Sequence, residues 1–107
     1  VSARAFTVAL LVCTGVSTTA QAQTAEQKKD ASGHHHRGVA LFKEGNFSAA
    51  LSEFRAAYQV IPNAEVLFNI GLCERRLFRY GQALRTLQTY LEQGGSKIKP
   101  DRRAAVA

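Results

Sequence analysis

Between His34 and Gln93 the chain repeats itself at an offset of 33 residues, and that period restricts the folds open to it more than any other feature. Gly38 matches Gly71, Phe47 matches Tyr80, Ala50 matches Ala83, Phe54 matches Leu87, and Ala57 aligns with Tyr90. A unit of this length is one supersecondary element that cannot bury an apolar face alone, so neighbouring units must stack. Within each copy the apolar residues recur at helical spacing, and glycines together with the Pro62-Asn63 pair cut the run into lengths suited to short helices. The spacing predicts an all-α chain with helices over 33–44, 48–60, 64–77 and 81–93. Gly45-Asn46 and Phe78-Arg79-Tyr80 supply tight turns, and Ser48 is the expected cap of the second helix. Loops this short make the helices antiparallel neighbours.

The matched residues also predict how each helix pair packs. Gly38 and Gly71 lack a side chain where the second helix of the same unit must come close, which offsets the roughly 1 kcal/mol that a mid-helix glycine costs against alanine. Ala50 and Ala83 serve that contact from the other side, and Phe47, Phe54 and Tyr80 are expected to fill the space around it. Pro62 ends the second helix of the first unit.

With these residues in register, the chain resembles the tetratricopeptide repeat family over about residues 31–93. The first unit, 33–62, matches the family pattern at Gly38, Leu41, Gly45, Phe47, Ala50, Phe54, Ala57 and Pro62. The second, 64–93, matches at Leu67, Ile70, Gly71, Tyr80 and Ala83, with Leu87 in a phenylalanine place. It departs at Glu74, Phe78 and Tyr90, where the pattern prefers an aromatic, a glycine and an alanine. His34 and Arg37 stand where two apolar residues belong, which suits the polar outer face of a terminal repeat.

The resemblance implies a short right-handed α-solenoid of two helix-turn-helix repeats, with the first helix of each unit lining a concave groove. The family pattern puts the groove positions on His35, Val39, Phe42 and Lys43 in the first unit and on Phe68, Leu72, Arg75 and Arg76 in the second. That set describes an apolar floor with a basic end, suited to an extended peptide or an amphipathic helix carrying an acid. Of the lysine and two asparagines with which some members clamp a terminal carboxylate, only Asn69 is present; His35 and Val39 occupy the other places.

The two ends carry different signals. Arg4, the apolar run Ala5 to Val16 and the small-x-small triplet Ala20-Gln21-Ala22 read as an export signal, residues 1–22, cleaved before Gln23. Val1 fits an alternative bacterial start codon. A lipoprotein reading with Cys13 as the modified residue is weaker, because Val12 stands where a small residue precedes such a cysteine. Residues 23–32, which hold no large apolar side chain, read as a flexible linker. At the other end, 97–107 reads as the start of a capping or third-repeat helix, with Pro100 near its first turn and Asp101 favourable to the helix dipole. Two units are few for a stack, so the sequence is expected either to belong to a longer architecture or to lean on self-association or a partner.

The stretch Asn69-Ile-Gly-Leu-Cys-Glu-Arg-Arg76 invites a reactive-cysteine reading, because nearby cations lower a thiol pKa. No base stands three or four residues on, where Arg76 and Leu77 lie, so the expected role of Cys73 is a buried filler. His34-His35-His36 suggests a metal, but consecutive helical residues point about 100° apart and cannot converge on one ion. No cofactor-binding motif appears.

After residue 22 the chain holds 13 basic and 8 acidic residues, about +5, concentrated at Arg75, Arg76, Arg79, Arg85 and the C-terminal end. Nucleic-acid binding wants aromatics free to stack on bases, and here the aromatics fall at core positions of the repeat. A basic surface on an exported protein instead meets anionic peptides, lipid headgroups or envelope polymers. The sequence therefore points to a non-enzymatic interaction or assembly module of the bacterial periplasm or cell envelope, with a protein or peptide partner, an acidic one by preference. The alternatives are a capping fragment with no ligand of its own and, remotely, a thiol enzyme using Cys73.

Overall fold

Thr24 opens the first helix with a reciprocal cap: its hydroxyl accepts from the Gln27 amide at 3.0 Å, and the Gln27 side chain accepts from the Thr24 amide at 2.9 Å. The computed structural model describes residues 23–107, so the expected export signal, residues 1–22, lies outside the described residues. Helix α1 runs Ala25–Lys43, α2 Phe47–Val60, α3 Ala64–Arg76, α4 Tyr80–Gly94 and α5 Pro100–Val106, with a single 3-10 turn, Gly95–Lys97, before α5. Every described element is helical.

The capping box corrects one expectation. Residues 23–32 are not a loose linker, because two satisfied amides at Thr24 and Gln27 let α1 start at Ala25. A second correction concerns α2. Asn46, not Ser48, caps it, accepting from the Ala49 amide at 3.3 Å. Asn63 does the same for α3, accepting from the Glu65 amide at 2.9 Å. Pro100 and Asp101 sit in the first turn of α5, as their chemistry predicts.

Helix α1 packs on α2, α2 on α3, and α3 on α4. Both intra-pair contacts are built on a glycine. A Cβ on Gly38 would stand 2.7 Å from the Phe54 ring, and one on Gly71 would stand 2.5 Å from a Leu87 methyl. The core between the pairs gathers Leu51, Phe54 and Ala57 of α2 with Val66, Leu67, Ile70 and Cys73 of α3, joined by Tyr90 of α4 and by Ile98.

The two turns inside the pairs share one hydrogen-bond pattern. Gly45 donates to the Phe42 carbonyl at 3.0 Å and Asn46 to the Leu41 carbonyl at 2.9 Å; Phe78 donates to Arg75 at 3.0 Å and Arg79 to Glu74 at 2.9 Å. Each closes its helix with one left-handed residue, Gly45 at φ 80° and Phe78 at φ 62°.

The polar residues His34 and Arg37, expected on an open face, tie α1 to α2. His34 Nδ1 lies 2.7 Å and Arg37 Nε 3.3 Å from the Glu53 carboxylate. Tyr80 departs further from expectation. Its counterpart Phe47 meets Phe42 edge to face, ring centres 5.0 Å apart, and lies under the Arg76 guanidinium at 5.4 Å, whereas Tyr80 is 62% exposed. Leu51 and Leu84 differ in the same way, 2% against 61% exposed. The cause is what lies alongside: α3 runs along α2, while α5, seven residues long, covers little of α4.

Candidate functional site

The seam between α1 and α3 holds most of the expected groove. Val39, Phe42 and Lys43 of α1 line a hollow of about 140 Å³ with Asn69 and Leu72 of α3, and Phe54 of α2 forms its floor. Phe42 and Leu72 also border a second hollow of about 320 Å³, whose other walls are Arg75, Arg76 and Tyr80. The spacing of the side chains follows from helix geometry. Val39, Phe42 and Lys43 lie three to four residues apart on one face, as do Asn69, Leu72 and Arg76 on the facing helix.

The two arginines differ. Arg76 is held by aromatic faces, its guanidinium carbon 5.9 Å from the Phe42 ring centre and 5.4 Å from that of Phe47. Arg75 is exposed and has no ion-pair partner among the described residues.

Two expected groove residues sit elsewhere. Phe68 packs on Tyr90 with ring centres 5.5 Å apart, and the Arg102 guanidinium covers it at 4.5 Å while pairing with Glu65 at 2.6 Å. The segment 97–107 thus caps Phe68 and removes it from the hollow. His35 lies one turn before Val39, its Nε2 3.2 Å from the Asn69 amide nitrogen and its ring 5.7 Å from that of Phe54, and it borders a separate hollow near Gln23 and Lys28. Sequence reasoning missed Tyr80, which it placed in the core. Among the described residues only the seven-residue α5 follows α4, and it leaves Tyr80 uncovered.

Cys73 is fully buried, and its thiol is pushed up to about 11, first by burial and then by the Glu74 carboxylate, with Arg55 pulling weakly the other way. It is therefore a protonated core side chain at neutral pH. Glu74 itself is 2% exposed, accepts from the Thr86 hydroxyl at 2.6 Å and lies 3.9 Å from Arg55. Among the described residues no three His, Cys, Asp or Glu side chains gather as a metal site, and no helix is long and apolar enough to cross a membrane.

No family model, curated protein or solved structure matches this chain.

Proposed function

We propose that the chain is a tetratricopeptide-like repeat module that binds a peptide or an amphipathic helix in the α1–α3 groove. The equivalent glycine contacts and the equivalent turns at an offset of 33 residues support the repeat reading. One observation carries the binding reading: Phe42 and Leu72 border both hollows, so an apolar slot runs without a break into Arg75 and Arg76. A ligand suited to it places a medium-sized apolar side chain over Asn69 and Leu72, and a carboxylate one or two residues away against the arginines. The stacked position of Arg76 lowers the entropy lost on pairing with that carboxylate. No catalytic step is part of this reading. Its setting is the periplasm or cell envelope, where the export signal read in residues 1–22 would deliver it.

The test is selection from a displayed library of ten-residue peptides, followed by binding measurements on the enriched sequences. Enriched peptides are expected to pair Asp or Glu with a neighbouring Leu, Ile or Phe. The double variant R75E/R76E should weaken them at least tenfold while helicity is retained, its melt lowered only by the loss of the Arg76 contacts with Phe42 and Phe47. Enrichment of peptides without an acid, or binding indifferent to the charge reversal, would overturn the proposal.

A further inference from the structure

The turn between α3 and α4 is built against its own folding preferences. Its counterpart in the first pair uses Gly45 at the left-handed position and Asn46 as the cap, both suited to their places. The second turn has Phe78 at φ 62° and Arg79 at the cap, with no side-chain cap bond to α4. Phenylalanine is strained at a left-handed φ, and a cation at a helix N-terminus opposes the macrodipole. Packing does not compensate. Phe78 is 76% exposed, its ring paired edge to face with that of Tyr80, centres 6.2 Å apart. At Gly45 a Cβ would meet nothing within 4 Å, so the equivalent corner of the first pair is open as well. Among the described residues Tyr80 and Leu84 have no long helix alongside, whereas Phe78 occupies a corner whose counterpart, Gly45, is open even with α3 beside α2. Departures from local rules without a packing gain cluster at functional sites.

The surroundings of Phe78 are cationic. Arg75 lies at the start of the turn, where its carbonyl accepts from the Phe78 amide at 3.0 Å, and Arg79 follows directly. Arg85 reaches back along α4, its Nη1 3.6 Å from where a Cβ on Gly81 would stand. From Arg75 to Arg85 the sequence contains no acidic residue. Phe78 borders neither hollow and projects into solvent from the turn. A protruding ring has no wall against which to hold a peptide side chain. It can, however, enter a soft interface between headgroups while the arginines around it meet phosphates.

We infer that this corner docks the protein on an anionic lipid surface, with Phe78 as the inserted side chain and Arg75, Arg79 and Arg85 as headgroup contacts. The inference does not rest on the peptide groove. Arg75 serves both readings, but Phe78 and Arg79 belong to this one alone.

The experiment is amide hydrogen exchange on the full chain with vesicles of phosphatidylcholine and phosphatidylglycerol, about 7:3, against pure phosphatidylcholine. It reads the corner locally, so any insertion by the apolar run Ala5 to Val16 does not obscure it. Anionic vesicles should slow exchange at Phe78 to Gln82 about tenfold, and neutral ones should not. F78G, whose residue the first turn shows to be compatible with the backbone, should abolish that protection, as should R79E. K29E, the same charge change near the start of α1, should leave it intact. Equal protection by neutral vesicles, protection retained in F78G, loss in K29E as large as in R79E, or protection by an acidic peptide and not by vesicles would each overturn the inference.

Discussion

A Cβ placed on Gly71 would fall 2.5 Å from one Leu87 methyl and 2.7 Å from its branch carbon, so the two helices of the second pair meet through a missing side chain. Alanine is the better helix former by about 1 kcal/mol, and at a solvent-facing helix position it would stabilise. At this site overpacking costs about 1–3 kcal/mol and outweighs that gain, because Leu87 is itself buried and cannot swing away. G71A is expected to melt lower by several degrees, and G38A likewise, since its Cβ would enter the buried Phe54 ring. Thermal melts followed by circular dichroism decide it. A rise in melting temperature for either variant would show that the helices can separate at no cost.

Cys73 gives a chemical readout of the same core. A thiol held at about 11 by burial is almost wholly protonated at pH 8, and its sulfur has no solvent access. In native protein a thiol reagent should modify Cys73 only as fast as the α3 region opens, and the rate should rise steeply across the unfolding transition. Fast modification of the native state at pH 7 would remove the buried-filler reading.

How much of this was legible depends on whether period or partner decided the residue. Apolar spacing, the glycines and Pro62-Asn63 placed α2, α3 and α4 to within a residue or two, because these are properties of the chain itself. The cap at Thr24 was missed because Thr-x-x-Gln is a weak signal without an apolar run behind it. Glu74, a departure from the family pattern, gave no hint of burial. Its solvation is supplied by Thr86 twelve residues on and by Arg55 on another helix, contacts that only the assembled pairs create. Of the positions that the family resemblance implied, Val39, Phe42, Lys43, Leu72, Arg75 and Arg76 line the two hollows, while Phe68 is covered by Arg102, a contact that no local pattern announces.

The Glu53 cluster predicts an acid limb in stability. The hydrogen bond with His34 holds the Glu53 carboxyl below its ordinary 4.5; burial opposes this, and the nearby charge of Arg37 reinforces it. A carboxyl with a depressed folded pKa stabilises the fold fully above 4.5, and that contribution is lost as pH falls through the folded value. E53Q should therefore destabilise the protein by about 0.5–1 kcal/mol at pH 7. It should differ little from wild type at pH 2–3. Chemical denaturation at the two pH values measures the difference; an equal deficit at both would show that the residue acts through packing.

Phe78 separates stability from function. Replacing it by glycine relieves a left-handed φ that costs a side-chain-bearing residue about 1–2 kcal/mol, and removes only the small buried fraction of the ring. Against this stands the greater freedom that glycine gives the unfolded chain, about 0.4–1 kcal/mol. The balance favours the variant. F78G should unfold at a slightly higher denaturant concentration than wild type, with an unchanged slope, because the backbone it needs is the one Gly45 already adopts at φ 80°. A loss of stability would mean that the ring packs in the native protein, and the strain argument at this turn would fail with it.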